Sequence, residues 1–136
     1  MKKCIFIIAL CLISVSSLQA NTLQLYQDPV PLGDYVKDQD EMLTKALKRH
    51  GWVYVIEGDR RFANLSHKTY EINAELVIKD AEVAIKFIDA ARPECTEKRC
   101  DLDMDKVNGW LVKLRRSIAY DLTLLVRDDA IRRSYL

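Results

Sequence analysis

Cys95 and Cys100, the run Asp101, Asp103 and Asp105 just after them, and the two histidines His50 and His67 are the residues whose types could do chemistry. A Cys-Thr-Glu-Lys-Arg-Cys spacing is not the Cys-x-x-Cys of thioredoxin-like sites, where a helix start activates the first thiol. The pair reads as a disulfide that staples one connection in an oxidising compartment. A ring this small is worth on the order of 2 kcal/mol. A carboxylate at every second position resembles the start of a calcium loop. The sixth position of such a loop should be glycine and is Lys106, and the twelfth should be glutamate and is Val112. The aspartates therefore read as capping and dipole residues ahead of a helix. Neither histidine has a patterned partner for a metal site or a triad. Most other acidic residues alternate with apolar ones on wet faces, and the four glycines act as punctuation, not as a phosphate-cradling loop. The expectation is no catalytic residue, no cofactor and no metal.

The element that must position the rest is a late helix from about Met104 to Val126, in which Val107, Trp110, Leu111, Leu114, Ile118, Leu122 and Leu125 recur at helical spacing. Such a stripe needs a sheet to cover. Trp52 to Ile56 and Arg60 to Ser66 read as a hairpin closed at Gly58-Asp59. The first of these strands is apolar at both parities, which leaves its buried face open. Tyr70, Ile72, Ala74, Leu76 and Ile78 alternate with polar residues in a third strand. After a turn at Lys79 to Ala81, Val83, Ile85 and Phe87 continue the buried face in a fourth. Upstream, Asp38 and Glu41 have capping-box spacing and open a short helix with Met42, Leu43, Ala46 and Leu47 on one side, stopped by Gly51. Lys45, Lys48, Arg49 and His50 suit the negative end of that helix. The fold expected is α+β: a four-stranded antiparallel meander with an N-terminal and a long C-terminal helix packed on one face. Trp52 or Tyr54, Tyr70, Ile72, Leu76, Ile85, Phe87, Trp110, Leu114 and Ile118 should build the core.

Residues 1–20 combine Lys2 and Lys3, an apolar block from Cys4 to Ile13 and a polar end, the pattern of a secretory signal peptide. The block is too short to span the bilayer as a helix, so no stable membrane span is expected after cleavage. Cleavage is placed after Ala20, with Ser17 as the alternative. Cys11 follows Leu10 inside the apolar block, which argues against lipidation. Residues 21–37 read as an extended lead-in and 38–136 as a single α+β domain. Without the leader the formal charge goes from +1 to −1, so there is no basic field for nucleic acid, and export argues against that partner as well. The expected location is the periplasm. Tyr120, Leu124 and Val126 lie off the main stripe and form a candidate interaction surface. The lead-in residues Leu23, Leu25 and Tyr26 could cover it in cis; a second copy or a protein partner could cover it in trans.

A helix ending Lys-Arg-His-Gly-Trp, four strands and then the stretch from Val107 to Ile118 resemble a family of small exported bacterial proteins and lipoproteins of unknown function. Gly51, Trp52, Asn108, Trp110, Leu114 and Ile118 carry the resemblance, which covers about Leu43 to Leu122. The loop with Cys95 and Cys100 and the tail after Val126 depart from it. The resemblance implies the fold and brings no catalytic residues with it. The leading expectation is a non-catalytic periplasmic interaction or binding protein. A periplasmic immunity or inhibitor protein and a small envelope hydrolase or ligand carrier are the alternatives.

Overall fold

The hairpin from Trp52 and the alternating strands from Tyr70 onward fold into a β-meander, and the computed structural model describes it within residues 24–136. Residues 1–20, expected to be a signal peptide, and Leu23 of the lead-in lie outside the described residues. The elements run β1 (Val30–Pro31), α1 (Gln39–Lys48), β2 (Trp52–Glu57), β3 (Arg60–His67), β4 (Tyr70–Lys79), β5 (Glu82–Ala91) and α2 (Met104–Ser134), with a short 3-10 turn at Leu25–Gln27 ahead of them. The sheet is antiparallel throughout, in the order β1-β5-β4-β3-β2. It has five strands, not four. The lead-in contributes the extra one: Val30 and Pro31 pair with Val83 and Glu82 at the outer edge of β5, and Leu32 N–H donates to the Ala81 carbonyl at 2.7 Å. A two-residue strand carrying proline leaves no periodicity to read, and it suits a sheet edge, where a missing donor costs little.

Local chemistry sets each boundary. Asp38 accepts from Glu41 N–H at 2.9 Å and caps α1, and Gly51, at φ +77°, turns the chain out of it. Asp103 accepts from Asp105 and Lys106 N–H and caps α2. That helix is 31 residues long and continues two turns past the expected Val126, because nothing after that residue breaks it. The β4–β5 turn places Asp80 and Ala81 at φ +52° and +57°, the paired left-handed conformation of a tight hairpin.

Both helices pack on one face of the sheet. The parity left open in β2 is settled by exposure: Trp52 is 4% exposed and turned toward the helices, whereas Val53 is 59% exposed. Ala63 and Ala74 face each other across β3 and β4 and are fully buried. Around them Leu43, Leu47, Ile72, Leu111, Leu114 and Ile118 close the core. Of the expected core, Phe87 and Trp110 are only half-buried at its margin. Trp110 sits near one end of α2, edge-on to Tyr70 at 5.0 Å and to His67 at 5.5 Å between ring centroids. On the opposite sheet face Arg60 makes a two-pronged bond to Glu75 and stacks on Phe62, and Asn73 donates to Asp89.

Cys95 and Cys100 are joined, with Cα atoms 5.7 Å apart. Arg92 anchors the same loop: it lies over the Tyr70 ring, donates to Thr69 Oγ1 at 2.9 Å and to the Asp101 carbonyl, and meets Glu97. Among the described residues, no helix is long and apolar enough to cross a membrane.

Candidate functional site

Where α1, the Tyr35–Asp38 segment and the second half of α2 meet, they leave a groove of about 330 Å³. Met42, Tyr35, Leu124 and Leu125 supply its apolar lining, and Lys37, Lys45 and Arg132 its basic groups. The acidic groups Asp38 and Glu41 are already engaged, one in capping α1 and the other in a 2.6 Å ion pair with Lys45.

The fourth element of the groove's chemistry is Asp121. It stands on the packed side of α2, one turn beyond Ser117, whose hydroxyl donates to the Ala46 carbonyl at 2.6 Å and fixes α2 against α1. Asp121 is 8% exposed. Arg49, just past the end of α1, donates to its Oδ1 at 2.7 Å and lies 4.9 Å above the Tyr120 ring. Oδ2 is buried and has no hydrogen-bond partner among the described residues. A buried carboxylate oxygen left unpaired is costly, and Oδ2 lies beneath the groove surface, so a donor in the groove would reach it only after a side-chain shift. The lining, apolar on one part and charged on the other, can hold an amphipathic group.

A second polar cluster locks α1 to the sheet. Asp40, in the first turn of α1, accepts at one oxygen from Arg61 Nε at 2.8 Å and from the Tyr54 hydroxyl at 2.7 Å. The Arg61 bond, then the Tyr54 bond, hold the Asp40 carboxyl below the usual carboxylate range. Burial, then the neighbouring Asp40 carboxylate, push the Tyr54 phenol well above its ordinary value. The cluster ties the start of α1 to β2 and β3 through the one Asp40 oxygen that both Arg61 and Tyr54 share.

Of the expected interaction surface, Tyr120 and Val126 are 51% and 43% exposed, and Leu124 is half-buried in the groove wall. The lead-in does not run over this end as a whole. Tyr26 is buried, Leu25 is exposed, and Asp28 is held by Arg115 in the first half of α2 at 2.6 and 3.0 Å. Further along, Tyr35 and Lys37 reach the groove beside Leu124. His50 and His67 are both exposed, with His67 against Trp110. Asp101 and Asp105 do not converge with Asp103, and among the described residues no group of three or more His, Cys, Asp or Glu is placed to hold a metal ion.

Asp121 and Arg49 are the residues that the sequence pattern did not single out. A signal was present, because Ser117 and Asp121 interrupt the apolar positions that include Leu114, Ile118 and Leu125 on the packed side of the helix. Arg49 was hidden by the simpler dipole explanation, and its partner lies 72 residues away. Compared with family models, with curated proteins and with solved structures, the chain matches none.

Proposed function

We propose that this chain is exported through a cleavable N-terminal signal and acts in the periplasm as a non-catalytic binding protein, with the α1–α2 groove as its recognition site. The observation that carries the reading is Asp121: a buried carboxylate with one unpartnered oxygen, in the wall of a groove that sets apolar side chains beside charged ones. An unpaired buried oxygen calls for an explanation, and a recognition site that rearranges on binding is one that also fits the groove beside it. The exposed side chains of Tyr120 and Val126 lie on the same half of α2 and would extend the contact with a protein or envelope component. A second reading, a carrier of one small ligand, is favoured by the groove volume, which is within the range of small-molecule sites.

The test is capture from periplasmic extract with the wild type and with Leu124→Arg, which puts a charge into the groove from a half-buried position. A partner held by the wild type and lost by the variant, at equal thermal midpoints, supports the groove. Equal capture by both proteins excludes it. A small molecule released from denatured wild type, and absent from the variant, selects the carrier reading. Cell fractionation and the mature N-terminus test export: Asn21, or Leu18 for the alternative cleavage, is the expected first residue.

A further inference from the structure

The opposite end of α2 carries a different kind of surface. Two adjoining depressions of about 390 and 180 Å³ share His67, Trp110 and Lys113 in their lining. Lys68 and Lys106 complete the basic side of the larger one, and His50 that of the smaller. No carboxylate lines either depression. Lys106 has a 3.5 Å contact with Asp103, while Lys68 and Lys113 have no ion pair among the described residues. Three lysines gathered around one indole, two of them without an ion pair and the third in only a long contact, make a local field that attracts anions.

Gly109 adds an independent observation. A glycine inside a helix costs about 1 kcal/mol relative to alanine, and packing does not ask for one here. A Cβ built at Gly109 meets nothing within 4 Å, and its backbone lies outside the left-handed region. What the missing side chain does leave is open space beside Trp110 in the larger depression.

We propose that this cleft is a second binding site, for a saccharide carrying a phosphate or carboxylate. The apolar C–H face of the sugar ring packs against Trp110 in the space left by Gly109. The anion sits among Lys113, Lys106 and Lys68, with His67 donating from its ring. The aromatic residue supplies a flat apolar contact, and the lysines supply charge on flexible stems. This site is separate from the groove and does not rest on it.

Tryptophan fluorescence of the whole mature chain reads the site directly, since Trp110 and Trp52 both line it. Glucose 6-phosphate and glucuronate are the probes, with glucose, inorganic phosphate and phenyl phosphate as comparators. Saturable binding of either sugar anion, about tenfold tighter than glucose and inorganic phosphate, is expected. Equal response to inorganic phosphate would reduce the site to an anion patch, tighter binding of phenyl phosphate would replace the sugar by an aryl ring, and either outcome overturns the proposal, as does the absence of saturable change. Gly109→Leu fills the space while improving helix propensity, so its thermal midpoint should rise as binding of the sugar anions falls about tenfold. Unchanged binding by this folded variant overturns the proposal. Lys113→Gln should weaken binding with the thermal midpoint unchanged, and Leu124→Arg, in the groove, should leave it as in the wild type.

Discussion

The two halves of α2 obey the same helical geometry and do opposite things with it. From Val107 to Leu122 the helix buries Val107, Leu111, Leu114, Ile118 and Leu122 against the sheet and α1. From Thr123 to Ser134 it buries none of its residues, and Val126 and Ile131 are exposed. At about 1.5 Å per residue, 31 residues make a rod of about 46 Å, longer than a ten-residue strand at about 33 Å. The helix outruns the sheet. What lies over the sheet is structure, and what lies past it becomes groove wall and free surface, with the Arg49–Asp121 pair at the boundary.

Four measurements would break or sharpen that contrast. Leu114→Ala, in the fully buried half, should cost about 3 kcal/mol in urea denaturation, the usual range for a core leucine whose cavity cannot close. A loss under about 1 kcal/mol would show that this half is not the anchored one. At the boundary, Arg49→Ala strands the buried Asp121 charge and should cost about 2 kcal/mol, reduced from the fully buried case because Arg49 is 42% exposed. Asp121→Leu removes the buried charge itself and should cost clearly less; the reverse order would mean that the pair is held for its own stability and not for the groove.

The third measurement is the pH dependence of unfolding, which reports on the lock between α1 and the sheet beside the groove. Asp40 has a lowered pKa in the folded state, chiefly through Arg61. Its contribution is present above the ordinary carboxylate pKa of about 4 and is lost as pH falls through the lower folded value. Arg61→Gln should flatten that acid limb. Tyr54 has a raised pKa, so its contribution is complete below about 10 and is lost as pH rises beyond it; Tyr54→Phe should flatten the alkaline limb. Limbs identical to those of the wild type would remove the lock from the account. The smallest effect is expected from deleting residues 127–136, which should change stability by less than about 1 kcal/mol while removing Arg132 from the groove. A loss above about 2 kcal/mol would show that the overhang is anchored after all.

Much of the scaffold was legible before any tertiary contact. Period-two alternation located β4 and β5, the turn at Gly58-Asp59 located the β2–β3 hairpin, the spacing from Val107 to Leu122 located the anchored half of α2, and Asp38, Gly51 and Asp103 stood at helix ends where local hydrogen bonding and backbone freedom require such residues. These are short-range rules, satisfied within a turn or a strand. The close pairing of Cys95 and Cys100 belongs with them, because five residues of separation keep the two side chains within reach whatever the fold.

What only the tertiary structure decided depends on distant partners. β1 became a strand because β5 offered an open edge, not because Val30 and Pro31 carry a strand signal. The parity of β2 followed from the side on which the helices landed. Trp110 moved from the expected centre of the core to its margin because the long stripe of α2 meets only a finite sheet. Asp121 acquired its meaning from Arg49, far away in the chain, and from the groove that α1 and α2 form together. A single helix period records which residues share a face; it carries no information about where the opposing surface stops, and in this protein the candidate groove begins at that limit.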